Sequence, residues 1–240
     1  MANPHLLLVH GANHGSWCWA HLLPHLQSRG FITHTLDLPG RERTKRSGWS
    51  YRLSEYAETV VEATARIETP VIAVGHSMGG MVISAAAQLR PEQFSRLVFL
   101  TAFLPSNGDT MAALGSLDKA SKLQKGIRLS ALDGRVTILP GPGAEVFFGD
   151  CTKEQQRWAF ERLSTEPLRP SLDKVRLTPD RFGAVPRSYI RCTQDQALSI
   201  ALQDNMLARQ VCEKIATLNA SHSPFLSMPE PLAEAIAAVA

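Results

Sequence analysis

The stretch Pro70-Val71-Ile72-Ala73-Val74-Gly75-His76-Ser77-Met78-Gly79-Gly80 carries most of what the sequence says about the fold. Val71–Val74 is an apolar, partly β-branched run held between a proline and a glycine, the pattern of a strand covered on both faces. The residues from Gly79 onward read as a helix over 79–90. The link between the two is too short and too rich in glycine to be an ordinary loop. It reads as a sharp turn with a serine at its apex and no room for side chains on either flank.

The same rhythm continues to both sides. Upstream, Leu6–Val9 runs into His10-Gly11, and Phe31–Leu38 lies between Gly30 and Pro39-Gly40; downstream, Leu97–Phe103 stops before Pro105. Helical patterns fall at 19–29 and 54–68, the second with Ser54 as N-cap and Glu55 and Glu58 in the first turn, where carboxylates suit the helix dipole. Short apolar strands alternating with helices predict βαβ units and a parallel sheet, hence the α/β class. From about residue 105 to 186 the alternation breaks around Pro140-Gly141-Pro142-Gly143, with helical patterns at 109–125 and 152–164. It then resumes with a strand at Ser188–Cys192, a helix over 196–210, a strand at Lys214–Leu218 and a closing helix Pro229–Ala240. The expectation is a single domain over 1–240, with a core of about 1–104 and 187–240 and an inserted cap of about 105–186.

Composition narrows the function. The 240 residues are 44% hydrophobic and 20% charged, which is globular and not disordered. A net charge of +3 is too small and dispersed to predict a nucleic-acid partner. The densest basic run, Arg41, Arg43, Lys45 and Arg46 around Glu42, reads as a solvated loop, with an anion site as the alternative. Four cysteines (Cys18, Cys151, Cys192, Cys212) form no C-x-x-C pair, so no zinc or redox motif is expected and free buried thiols are. The N-terminus has neither a basic leader nor an apolar run long enough for a signal peptide, and no stretch approaches a membrane span. The expectation is a cytoplasmic protein with no cofactor, no metal, and no nucleic-acid or membrane partner.

The chemistry starts at Gly75-His76-Ser77-Met78-Gly79. A serine nucleophile must project from a turn tight enough to demand glycine two residues to either side, directly after a strand and before a helix. The competing reading is a structural Gly-Ser turn. A hydroxyl needs a base, and His222, in Asn219-Ala220-Ser221-His222-Ser223-Pro224, is the one histidine downstream of Ser77. The alternative for it is a surface-loop histidine. The acid should follow the preceding strand, as Asp195 does; Asp204 competes but falls inside a helical stretch, and Asp180 and Asp173 precede the strand. An oxyanion hole needs two N–H groups, taken as those of Met78, after the serine, and Ala12, in the loop after the first strand. In that loop His14 reads first as structural and second as a ligand contact, and Trp17 and Trp19 read as core before platform.

These segments resemble a family. His10-Gly11-Ala12-Asn13-His14-Gly15-Ser16-Trp17, residues 75–80, 188–195 and 220–225 are similar to the hydroxynitrile lyase and plant methylesterase branch of the α/β-hydrolase superfamily, the salicylate-binding methylesterases included. The resemblance implies an α/β-hydrolase fold with a mostly parallel central sheet flanked by helices. It implies Ser77, Asp195 and His222 as catalytic triad and Ala12 and Met78 as oxyanion donors. Lyases of the branch carry threonine where this chain has Gly11 and lysine where it has Ser223, so the resemblance implies hydrolysis over lyase chemistry. Methylesterases usually carry methionine at the Ser223 position, so a particular methyl ester is not implied. Dimers are common in the branch, so a homodimer is an expectation of the resemblance alone.

The function expected is a serine hydrolase, an esterase cleaving a small hydrophobic or aromatic carboxylic ester through an acyl-enzyme. Gly11, His14, Met111, Phe147, Trp158 and Ser223 are the candidate substrate contacts, with Phe148 and Phe160 as further apolar cap residues. The rivals are a hydroxynitrile lyase, a C–C or thioester hydrolase on the same triad, and a small-ligand receptor with little turnover.

Overall fold

A computed structural model describes residues 3–41 and 46–240. Six strands, all parallel, make the central sheet: β1 (His5–Val9), β2 (Ile32–Thr35), β3 (Val71–His76), β4 (Phe94–Leu100), β8 (Arg187–Cys192) and β9 (Lys214–Leu218), in the order β2-β1-β3-β4-β8-β9. Three short antiparallel strands, β5 (Ile127–Ser130), β6 (Arg135–Ile138) and β7 (Glu166–Pro167), form a second sheet inside the segment inserted between β4 and β8.

The inner strands β1, β3 and β4 are largely apolar because both their faces are covered, while the edge strands β2 and β9 are half exposed. Alternate residues go to opposite sides: Leu7, Val9, Ala73, Leu97 and Phe99 enter one core cluster, and Leu6, Leu8, Ile72, Val74, Val98 and Leu100 enter the other. The helices Leu53–Thr64 and Gly79–Leu89 cover the first face, and the helices Leu23–Gln27 and Pro229–Val239 the second.

Several boundaries move from their sequence-based positions, each for a local reason. The run Phe31–Leu38 pairs only over Ile32–Thr35, because β2 is an edge strand matched to the five residues of β1, and Asp37 turns away to accept the Ser16 N–H at 2.6 Å. The strand expected to reach Phe103 stops at Leu100, where Thr101 takes a positive φ of 35° and the chain leaves the sheet. The 19–29 pattern divides into a 3-10 turn, Ser16–Trp19, and a helix Leu23–Gln27 with Pro24 in its first turn, where a missing N–H costs nothing. The cap of the helix predicted to start at Ser54 is Arg52 instead, whose N–H goes to Glu55 Oε1 at 3.1 Å. The stretch 109–125 splits into Met111–Leu117 and Leu123–Gly126, and 152–164 is helical only over Lys153–Phe160.

Two compositional expectations need correction. Arg41 is not solvated: its side chain is 9% exposed and its guanidinium pairs with Glu166 at 2.6 Å. Arg46 pairs with Glu55 at 2.8 Å, while Glu42, Arg43 and Lys45 lie outside the described residues. Cys18, Cys151 and Cys192 are free and buried, whereas Cys212 is only half-buried. Among the described residues no helix is long and apolar enough to cross a membrane.

Candidate active site

The order of strands reverses around β1: β2 lies on one side of it and β3 on the other. Loops leaving the carboxyl ends of β1 and β3 therefore diverge and leave a crevice, the place where open α/β sheets bind ligands. Residues 10–15 leave β1 there and residues 77–78 leave β3.

Ser77 sits at φ 54°, a left-handed conformation uncommon for a residue with a side chain. Its flanks explain how the turn closes. A Cβ at Gly75 would fall 2.7 Å from the Gly79 carbonyl oxygen, and one at Gly79 would fall 2.7 Å from the Val9 carbonyl oxygen. The strained conformation is pinned by Ser77 N–H to Leu100 C=O at 3.3 Å and by Phe103 N–H to Ser77 C=O at 3.1 Å.

The turn brings Ser77 Oγ to 3.1 Å from His222 Nε2, and His222 Nδ1 lies 2.6 Å from Asp195 Oδ2. Nδ1 carries the proton it donates to the carboxylate, which leaves Nε2 as the acceptor facing the serine. All three side chains are buried or nearly so, Ser77 being the most open at 9%. Asp195 is held from its other side: Oδ1 accepts the N–H groups of Ala197 at 2.7 Å and Leu198 at 2.8 Å. Those two bonds also explain why the helix expected from 196 begins only at Ile200, capped by Ser199. The rival carboxylates go elsewhere. Asp204 is half exposed and pairs with Arg191, Asp173 pairs with Arg52 and Arg169, and Asp180 lies exposed.

Several residues around the Ser77–His222–Asp195 chain have no sequence signal of their own. Thr101 donates its hydroxyl to Asp195 Oδ2 from the carboxyl end of β4. Asp150, in the inserted segment, accepts the Ser221 N–H at 2.9 Å and the Ser227 hydroxyl at 2.9 Å, and also takes the Ser221 hydroxyl, so it clamps the loop that bears His222. His76 Nε2 donates to the His222 carbonyl at 2.8 Å. A strand's carboxyl end is the one hint by which Thr101 and His76 could have been found.

Three further histidines beside the site are buried. Burial pushes His10, His14 and His76 below the ordinary histidine range, His14 to about 4. His10 Nδ1 donates to Gly11 C=O at 2.8 Å and its Nε2 accepts the Leu38 N–H at 3.1 Å; His14 Nδ1 donates to Ala12 C=O at 2.8 Å. The carbonyls of the loop after β1 are thus turned inward by its own histidines.

In front of Ser77 and His222 opens a cavity of about 320 Å³, roofed by the inserted segment. Ala12 and Met78 both line it, and among the described residues neither backbone N–H has a protein acceptor. Of the other expected contacts, Met111 and Phe147 are on its wall, with Phe103, Leu123, Ile127 and Leu198. Gly11, His14, Trp158 and Ser223 are not. Gly11 lies behind Ser77, where an added Cβ would meet Ser77 Cβ at 2.9 Å, and His14 turns toward Trp17 and Phe225. Trp158 packs on Trp17 and His21 instead, and Ser223 is fully buried. Trp19 is core, as expected. Among the described residues no group of three or more His, Cys, Asp or Glu side chains could hold a metal ion.

Comparison with known proteins places the fold in a family. The alpha/beta hydrolase family model matches residues 6–235. A pyrethroid hydrolase of Sphingobium wenxiniae is 32% identical over 246 residues, covering 97% of this chain and 86% of its own length. The putative chloroplastic methylesterase 11 of Arabidopsis thaliana is 30% identical over 240 residues; they cover 95% of this chain, which spans only 62% of that relative. The crystal structure of a pyrethroid hydrolase from Sphingobium faniae superposes with a TM-score of 0.85 at 29% identity, covering 98% of this chain and 96% of that one. The chain belongs to the alpha/beta hydrolase family, in its methylesterase-like branch.

Proposed function

We propose that the protein is a serine carboxylic-ester hydrolase for small apolar esters. The observation that carries this reading is the continuous hydrogen-bonded chain from Ser77 through His222 to Asp195, opening on an apolar cavity. In the proposed reaction Ser77 Oγ attacks the ester carbonyl as His222 Nε2 takes its proton. Asp195 holds the imidazole so that Nε2 faces the serine, and stabilises the imidazolium once formed. The N–H groups of Ala12 and Met78 receive the oxyanion; one such donor is typically worth ~10²–10³ in turnover. His222 then protonates the departing alkoxide, and water repeats the cycle on the acyl-enzyme.

The cavity supports the substrate class. Its volume lies at the small end of ligand sites, about 300–1,000 Å³ in general, and Phe147 stands edge-on to His222 with ring centroids 5.5 Å apart. Pyrethroid and methyl esters, the substrates in the names of the relatives, belong to the neutral, largely apolar class that such walls accept. Gly11 speaks against lyase chemistry, because a threonine side chain there would strike Ser77 Cβ.

The test is a panel of p-nitrophenyl esters of graded acyl size, with thioesters, vinylogous diketones and mandelonitrile alongside. Hydrolysis of short apolar esters is expected, with fluorophosphonate labelling that Ser77→Ala abolishes and no cyanide release. A folded protein that neither cleaves any ester nor takes the label would overturn the reading in favour of a receptor.

A further inference from the structure

Asn13 follows Ala12 directly, and its backbone N–H, its backbone C=O and its side-chain NH2 are bonded to the inserted segment. Its N–H goes to Glu166 Oε2 at 2.9 Å, and its C=O accepts the Ser164 N–H at 2.9 Å. Its side-chain amide donates to the Val136 and Ser164 carbonyls, each at 2.8 Å. These bonds hold Asn13 at φ 65°, a left-handed conformation that asparagine tolerates better than most residues but does not favour. The backbone dihedrals of Asn13 and its neighbours decide which way the preceding peptides face. The Gly11 and Ala12 carbonyls are held by His10 and His14, Ala12 lines the cavity, and its N–H has no protein acceptor among the described residues.

Glu166 is the centre of this hold. It is 3% exposed, and its carboxylate takes three donors: Asn13 N–H, the Tyr56 hydroxyl at 2.9 Å and Arg41 Nη2 at 2.6 Å. A buried ion pair is weak support for stability by itself, since desolvation offsets much of the attraction. A fixed carboxylate at this place does something a hydrophobic pair could not: it accepts an N–H from a strained loop and fixes its direction. Tyr56 and Arg41 come from the core and Glu166 from the inserted segment, so the contact exists only when that segment is seated on the sheet.

We propose that Glu166 is a positioning residue for the oxyanion hole. Through the Asn13 N–H, and with Arg41 fixing its own carboxylate, it aims the Ala12 N–H at the reacting carbonyl, so that the hole is complete only with the inserted segment in place. This inference rests on the ester-hydrolase reading of Ser77.

The experiment compares Glu166→Gln with Asp173→Asn. The second weakens another tie between inserted segment and core, Asp173 to Arg52 and to the Leu53 N–H, without touching the loop after β1. Glu166→Gln is expected to lower kcat by 10- to 100-fold with KM within about twofold, a fraction of the ~10²–10³ of a lost donor. Its affinity for an aryl trifluoromethyl ketone, which binds as a hemiketal oxyanion on serine, falls in parallel, while affinity for the plain methyl ketone does not. Asp173→Asn keeps kcat while lowering Tm. Should Glu166→Gln fold poorly, Asn13→Gly and Asn13→Ala replace it, with glycine retaining more kcat than alanine because only glycine accepts the left-handed backbone freely.

Wild-type kcat and ketone affinity in Glu166→Gln, or an equal kcat loss in Asp173→Asn, would overturn the proposal. Amide hydrogen exchange at residues 12–14 gives a readout free of turnover, with faster exchange expected in Glu166→Gln alone. If the wild type cleaves no ester, the hydrolase reading fails, and unchanged exchange at 12–14 separately refutes the positioning role.

Discussion

Lowering the pH should destabilise this protein steeply, and His14 makes the effect calculable. The side chain is 1% exposed and spends its one ring proton on the Ala12 carbonyl, so burial holds its pKa at about 4 against an ordinary 6.5. A histidine with a depressed folded pKa supports the fold fully above about pH 6.5 and loses that support as pH falls toward its folded value, because the unfolded chain takes the proton first. For a gap between about 6.5 and about 4 the loss is about 2 kcal/mol from pH 7 to pH 5 and about 3 kcal/mol by pH 4. His10 and His76 are shifted in the same direction by burial and add to it. His14→Asn keeps an N–H donor at the Nδ1 position for the Ala12 carbonyl and removes the titration. Urea unfolding of both proteins at pH 7, 6 and 5 measures the difference. The variant should lose about 2 kcal/mol less than the wild type between pH 7 and 5. Identical slopes of stability against pH in the two proteins would refute the reasoning.

Other expectations follow from the same geometry. Asp195→Asn can place an amide donor against His222 Nδ1 and favour the wrong tautomer; kcat against a p-nitrophenyl ester should fall about 10⁴-fold with KM little changed. Gly75→Ala drives a Cβ to 2.7 Å from the Gly79 carbonyl oxygen and should cost about 1–3 kcal/mol, read as a drop in Tm of several degrees. Phe147→Ala opens the wall beside His222, so the ratio of kcat/KM for a bulky over a short acyl ester should rise about tenfold, a change within the few kcal/mol that apolar pocket contacts command. Asp150→Ala frees the Ser221–Ser227 loop and should lower kcat while leaving fluorophosphonate labelling detectable, measured by initial rates and mass spectrometry.

The parallel sheet was legible because strands buried on both faces have to be apolar nearly throughout, as Leu6–Val9 and Val71–Val74 are; Lys214–Leu218 also sits where it was expected, but as a largely exposed edge strand. The small sheet of the inserted segment was not. Its strands are four residues or fewer with mixed burial, and only Asp133-Gly134, with Gly134 at φ 63°, marks the turn between the first two. Ser77, His222 and Asp195 were legible as candidates because a nucleophile turn needs glycines at fixed offsets and chain order narrows its partners. Met111 and Phe147 face the cavity while Trp158 packs on Trp17, a choice no local pattern encodes.

By itself, the sequence determined the central sheet's strands and the sharp turn at Ser77, which depend on neighbours within a few residues, while chain order narrowed the histidine and aspartate that could serve it. The tertiary structure decided how the inserted segment meets the core: that Arg41 is buried against Glu166, that Asn13 is held left-handed by residues more than 120 positions away, and that three histidines are neutral. Burial, ion pairing and hydrogen-bond direction depend on groups brought together only by folding, and a carboxylate or imidazole takes its properties from those groups and not from its place in the chain.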